Sequence, residues 1–302
     1  MRTLTAKALC AAALALAPLP AAADEIALRE ALKVGASTTL GADIAAHEVA
    51  LGQVMDGFGR VNLHGNGLFL ATHSGENTAR AWAAFHMNDY AGDPRGVSRR
   101  LLLGYDLPVM RRSRLGLVGS FGTADLDTGA RVQSRTFSFG PYFKTRIGKL
   151  LRIKSWASLS RPVYRYARGS TRATRLGAGA RARLEHTYGN VSLRGAASLR
   201  FSHQVMPGRS RLKAFQITKL DSTLTTRATF YPEAPLRPYV DYGLTQGRWT
   251  NDDSRGDYSA QTLAAGLLWE KRKHSVSVQL DGRRVFDPAQ PLQLSTNYRL
   301  SF

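Results

Sequence analysis

The chain has 302 residues, with 42 Lys+Arg against 22 Asp+Glu, 43% hydrophobic residues, 28 Gly and one Cys. That length suits one large domain or two small ones. The cysteine and glycine counts exclude a disulfide-built mini-protein and a collagen-like fibre.

Met1 to Ala23 has a basic start in Arg2 and Lys7, an apolar run from Ala8 to Ala17, and Ala21-Ala22-Ala23 before Asp24. This is the pattern of a secretory signal peptide cleaved after Ala23. The run is about half the roughly 20 apolar residues that a membrane anchor needs. Cys10 lies inside it, so the mature chain is expected to be cysteine-free, with 302−23 = 279 residues and a charge of 40−22 = +18. An exported protein of this kind does not meet nucleic acid, so the basic excess is read as a property of the protein's own interior.

Asp24–Asn77 contains Ile44, Val49, Leu51, Val54, Met55 and Phe58 near helical spacing, which predicts a short helix within Ala42–Phe58. Its place is open between a barrel lumen, a periplasmic face and solvent. The longest mature stretch without Asp, Glu, Lys or Arg is Val61–Gly75, and it contains His64, Asn66 and His73. A transmembrane helix is excluded by that count, whereas a barrel strand of about 10 alternating residues is not.

From Thr78 onward the chain alternates apolar and polar residues in long segments. Twelve strands are predicted: Arg80–Asn88, Ser98–Leu107, Arg114–Ala124, Val132–Phe143, Leu150–Ser160, Thr171–His186, Val191–His203, Ala214–Phe230, Leu236–Thr245, Tyr258–Glu270, Ser275–Val285 and Leu292–Phe302. The last is the clearest, with Leu292, Leu294, Thr296, Tyr298, Leu300 and Phe302 on one face and Gln293, Ser295, Asn297, Arg299 and Ser301 on the other. These runs exceed the five or six residues of sandwich strands. An even count returns both chain ends to one side, as in bacterial single-chain barrels. The connections at one rim, near Ala91–Gly96, Pro162–Ser170 and Gly247–Asp257, are expected to be long, and those at the other, such as Tyr188–Asn190, short. Ala214–Phe230 changes parity midway, which predicts a bulge near Asp221. Tyr105, Phe143, Trp156, Phe201, Phe230, Tyr258, Trp269 and Tyr298 are expected at interfacial girdles.

The alternation points Arg80, Arg100, Arg114, Arg152, Lys154, Arg175, Arg181, Arg183, Arg194, Arg200 and Arg299 into the lumen, against the fewer acids Asp106, Glu185, Asp241, Glu270 and Asp281. Some of these arginines pair with acids or with plug carbonyls. The remainder would leave a positive lumen that favours anions if water fills it. Arg165, Arg168, Arg172, Arg209 and Arg211 lie near the outer connections, where lipopolysaccharide phosphates are one partner and solvent the other. The histidines His47, His64, His73, His86, His186, His203 and His274 have no shared ligand spacing, so no metal or other cofactor is expected. His274-Ser275 and His203 do not complete a nucleophile, base and orienting set, so the chain is expected to be non-enzymatic, an outer-membrane lipid hydrolase being the third reading.

The aromatic opening strand around Trp82, Gly104-Tyr105-Asp106 leading into Leu115-Gly116-Leu117, Gly140-Pro141-Tyr142, the strand with Trp156, Pro238-Tyr239 and the terminal Tyr298-Arg299-Leu300-Ser301-Phe302 occur in one order. In that order the chain resembles the autotransporter translocator family over about Gly67–Phe302. The resemblance implies a twelve-stranded outer-membrane barrel threaded by a helix and inserted by the barrel assembly machinery. Tyr298, Leu300 and Phe302 match the assembly signal that machinery reads. Family members carry a long passenger before the barrel, whereas 77−23 = 54 residues stand there in this chain. The expected role is therefore a plugged structural, translocation or surface-interaction barrel, with a small porin-like anion-selective channel as the alternative, in the bacterial outer membrane beside its lipid and lipopolysaccharide.

Overall fold

A computed structural model describes residues 20–55, 61–64, 66–72, 78–148, 150–167, 169–208, 213–282 and 293–300. A helix, α1 (Pro20–Met55), precedes the strands β1 (Val61–His64), β2 (Gly67–Ala71), β3 (Arg80–Tyr90), β4 (Arg95–Met110), β5 (Ser113–Asp127), β6 (Arg131–Ile147), β7 (Leu151–Tyr166), β8 (Gly169–Arg172), β9 (Thr174–Tyr188), β10 (Val191–Met206), β11 (Phe215–Phe230), β12 (Leu236–Asn251), β13 (Arg255–Lys271), β14 (His274–Asp281) and β15 (Gln293–Leu300). Each strand pairs antiparallel with its sequence neighbours, β8 and β9 excepted, and β1 closes the sheet by pairing with β15. β8 and β9 form one wall element, because both pair with β7 and are parted only at Ala173. Opposite Ala173 stands Pro162, whose carbonyl accepts from the Ala173 N–H at 2.8 Å but which has no N–H to return. Counting β8 and β9 together, the closed barrel has 14 strands.

All twelve strands expected from alternation are present, so the expected strand number was short by two. The missing pair, β1 and β2, has four and five residues. An alternation that brief carries no period to read, and only the ladders to β15 and β3 give these strands their place. Parity survives the correction, because Val61 and Leu300 pair at the same rim, here called proximal.

The strands also run further than expected, with β4, β7, β10, β11 and β12 each 16 residues long. Their extension consumes most of the expected long connections. At the distal rim, 91–94, 128–130, 167–168 and 252–254 are short, and only 207–214 and 282–292 are long. The asymmetry between rims is therefore weaker than the sequence implies.

Apolar side chains on the outward positions form a band around the barrel, including Leu103, Leu117, Phe137, Phe139, Leu176 and Leu199, each about half exposed or more. Soluble monomers rarely expose so continuous an apolar surface. Among the described residues, no helix is long and apolar enough to cross a membrane. Of the aromatics assigned to girdles, Trp156 and Tyr258 instead face inward, Trp156 stacking on His47 of α1 at 5.5 Å and Tyr258 donating to Asp221.

No bulge interrupts β11, whose ladders with β10 and β12 run without a shift from Phe215 to Phe230. Phe215 and Ile217 face inward at the distal end and join the core with α1, while Leu220, Leu224 and Phe230 face outward. The apolar residues change face because the distal inward positions of β11 pack against the helix, whereas its proximal inward positions, Thr225 and Arg227, line the polar cavity.

If β1 is part of the wall, Leu63 and Tyr298 are direct cross-strand partners, with Cα atoms within disulfide reach. Refolding the mature chain with Leu63→Cys and Tyr298→Cys under oxidising conditions is expected to give a cross-linked species in mass analysis. A barrel that begins at β3 would leave both thiols free.

Candidate functional site

The site is the lumen, and α1 divides it. At about 1.5 Å per residue, its 36 residues run about 54 Å, long enough to reach from one rim of the barrel to the other. The stripe Leu32, Ala36, Leu40, Asp43, His47, Leu51 and Val54 is buried throughout, at the three- and four-residue spacing of one helix face. The helix begins at Pro20, far ahead of the expected start at Ala42. Its amino-terminal half escapes a periodicity reading because most of its buried positions, Ala31, Lys33, Gly35 and Ala36, are small or polar, with Leu32 the exception.

Charge fixes the helix at several heights. Near the distal rim Lys33 and Arg29 hold Asp253 of the 252–254 connection, Arg29 at 2.6 Å, and Thr128 Oγ1 donates to the Ala31 carbonyl at 2.9 Å. In the middle, Asp43 is clamped between Arg100 of β4 and Arg175 of β9. Arg175 also donates to Gln204 Oε1 and Tyr164 Oη, each at 2.8 Å, and to Thr39 Oγ1 at 3.1 Å. One turn on, Glu48 meets Arg200 of β10 at 3.1 Å. Near the proximal rim Arg80 donates to the Val54 carbonyl at 2.8 Å, capping the helix end. Arg80, Arg114 and Tyr142 converge on Asp106, with Tyr142 donating at 2.7 Å and Trp82 Nε1 donating to Tyr142 Oη at 2.7 Å.

Beside the helix, between Gln53 of α1, Asn62 of β1 and the wall of β9–β15, lies a cavity of about 840 Å³. It is lined by Arg181, Arg194, Arg227, Arg237 and Arg299 among polar and aromatic groups, with Asp241, Glu270 and Asp281 as its acids. Arg227 grips Asp241 bidentately at 2.6 and 2.5 Å and lies over Tyr239, 4.2 Å from the ring centre. Arg194 meets Glu185 at 2.8 Å, and Arg237 meets Glu270 at 3.1 Å. Arg181 has no hydrogen-bond or ion-pair partner among the described residues.

The eleven lumen positions read from the sequence all face inward. Arg80, Arg100, Arg175 and Arg200 hold the helix or its end, Arg114 holds Asp106 beside Arg80, and Arg181, Arg194 and Arg299 line the cavity. Arg183 lies 3.8 Å from Glu185 and pairs across the ladder with Arg152. Lys154 stands where a Cβ at Gly52 would come within 3.6 Å of its Nζ. Sequence reasoning missed Asp43 and Glu48, which lie on the helix, and Asp221, Arg227 and Arg237 on the wall. Tyr298 and Leu300 lie in β15, with Tyr298 Oη 2.8 Å from His274 Nδ1. Phe302, Arg168, Arg209, Arg211 and the expected signal peptide before Pro20 fall outside the described residues. Among the described residues, no cluster of His, Cys, Asp and Glu is arranged to hold a metal.

No protein-family model matches the sequence, and no curated protein matches it. Solved structures do resemble it. The β-domain of the Bordetella autotransporter BrkA aligns with a TM-score of 0.52 at 15% identity, over 74% of this chain and 99% of that one. The chain shares the antiparallel β-barrel fold of that domain. The translocator domain of NalP from Neisseria meningitidis aligns with a TM-score of 0.48 at 10% identity, over 88% of this chain and 98% of that one. The ferric preacinetobactin receptor BauA from Acinetobacter baumannii aligns with a TM-score of 0.44 at 12% identity, over 73% of this chain, which spans only 46% of the receptor. At such identities the likeness is one of fold. Within this barrel, the helix and its clamps are the features with chemical consequence.

Replacing Asp43 by Ala would leave two buried guanidinium groups facing each other, and losing one partner of a buried pair costs about 3–5 kcal/mol. D43A is expected to lower the denaturation midpoint of the refolded barrel and to speed proteolysis within α1, while an unchanged midpoint would mean the clamp contributes little. At the distal rim, hydrogen bonds from Lys33 and Arg29 hold the Asp253 carboxyl below its ordinary value of 3.8. Because the folded-state pKa is depressed, this latch is fully present above the ordinary value and is lost only as pH falls through the folded one. A spin label at Ile26→Cys is expected to stay immobile from neutral pH to about pH 4 and to loosen below it, whereas with D253N it is mobile at neutral pH.

Proposed function

We propose that this chain is a non-enzymatic barrel of the bacterial outer membrane whose lumen is plugged by its own amino-terminal helix, a translocator-like arrangement. In this reading the signal peptide is cleaved after Ala23, the assembly machinery reads the Tyr298, Leu300 and Phe302 ending, and the apolar band faces lipid. The observation that carries it is the path of the chain. α1 enters at the distal rim beside Asp253 and leaves at the proximal rim beside Arg80, where β1 begins and β15 ends. The amino-terminal end of α1 therefore stands at the rim opposite the strand ends, the polarity that threading of the chain through the lumen would leave.

A second reading has its own support, the arginine-lined cavity beside the helix. Rings of basic side chains favour anions in water-filled pores. In this barrel, however, the helix and the Glu48–Arg200 and Asp221–Tyr258 contacts stand between that cavity and the distal rim.

Planar-bilayer conductance separates the two. The mature protein is expected to be silent, with anion-leaning current appearing on deletion of Asp24–Met55 and, more weakly, in D43A. Steady anion-selective current from the intact protein would make it a channel and Arg181, Arg194, Arg227, Arg237 and Arg299 its selectivity residues.

A further inference from the structure

On the outer wall of β4–β8 the ladder changes character in a single step toward the distal rim. One row places Leu101, Phe121 and Phe137 side by side, with Arg161 next to Phe137. The row above it reads Arg99, Thr123, Arg135, Val163 and Arg172. The next contains Asp125, Gln133, Arg165 and Ser170. Arginines two strands apart have backbones about 10 Å apart, so Arg99, Arg135 and Arg172 form an evenly spaced line, flanked by Arg161 and Arg165.

All five of these arginines are exposed, and none has a hydrogen-bond or ion-pair partner among the described residues. Asp125, the acid within these rows, is already held by Arg131 at 3.0 and 2.6 Å and by Gln133 at 3.2 Å. A groove of about 680 Å³ follows Arg99, Arg135, Arg165 and Arg172 across the surface. Among the described residues the far wall has no such line: there the outward Arg248 is neutralised by Asp257 at 2.7 Å, and His203 meets Thr218 at 2.8 Å. Crowded guanidinium groups without acids repel one another, and an apolar shelf directly beneath them narrows what can relieve the charge. The complementary ligand is anionic at the level of the line and hydrocarbon below it.

We propose that this line of arginines binds the phosphates of a membrane lipid whose headgroup carries more than one of them, with the acyl chains lying on Phe121, Phe137 and Phe139. Guanidinium groups bind phosphate bidentately and do not lose their charge, which suits them to this boundary better than lysine. The spacing favours a headgroup broad enough to reach two arginines of the line at once. This site rests on the membrane reading of the barrel, and it is separate from the lumen.

The test uses the full mature protein refolded in zwitterionic detergent, with native mass spectrometry reading the binding of bisphosphorylated lipid A, its dephosphorylated form and inorganic phosphate as competitor. The phosphorylated lipid is expected to bind roughly tenfold or more tightly than the dephosphorylated one, and R99Q/R135Q/R172Q to abolish that preference. A control with equal charge loss elsewhere, R111Q/R255Q/R272Q, is expected to keep it. The proposal falls if the two lipids bind alike, if the control loses as much, or if inorganic phosphate displaces the lipid, which would mark a site for the free anion. Should the triple variant fail to fold, R99Q and R172Q singly carry the same comparison. Conductance does not enter this readout, so a failure here leaves the plugged-lumen reading standing, and an open lumen leaves this site standing.

Discussion

A barrel whose inner wall holds more guanidinium than carboxylate groups can accept a close-packed helix only if that helix brings acid to the heights where the arginines stand. Asp43 does this between Arg100 and Arg175, both buried. Apolar packing around it, through Leu32, Leu40, Leu51 and Val54, could accommodate a shifted helix, because hydrophobic contact is not directional. The ion pair could not, since a shift of one turn would leave two buried cations and one buried anion without partners. The clamp therefore sets the axial position of α1, and the contacts at Asp253, Glu48 and Val54 follow from it.

The same constraint explains why the lumen is filled on one side. The helix packs where the wall offers both apolar groups and unmatched arginines. Over β11–β15 the arginines already have wall acids, Arg227 with Asp241 and Arg237 with Glu270, and there a polar cavity remains. Apart from Arg181, the wall arginines with partners thus divide into those neutralised by the helix and those neutralised by their neighbours. On the exterior, Arg99, Arg135 and Arg172 belong to neither set.

Much of this wall was legible from alternation. A strand of period two between two different environments writes its faces directly into sequence, which is why the inward positions from Arg80 to Arg299 follow from residue types alone. The reading failed where one of the two environments changed. Phe215 and Ile217 looked like a register error because an inward apolar pair makes sense only against a plug, and Trp156 and Tyr258 looked like girdle residues for the same reason. Gly177 and Gly179 are the clue that was available, since a Cβ at Gly179 would strike the Trp156 ring and an indole that needs glycine neighbours is packed inside. β1 and β2 failed for another reason, being too short to show any period.

The sequence by itself determined the all-β class, the alternation of wall faces, the even parity of the barrel and the basic lumen, because each is a local pattern repeated along a single strand. Only the tertiary structure decided the number of strands, the full length and threading of the helix, and the partners of each arginine. Closure depends on β1 meeting β15 across 230 residues or more of chain, and Asp43 meets Arg175 at a separation of 132 residues. Such pairings are fixed by the depth at which each side chain stands in the barrel, and that depth is set by all the ladders acting together.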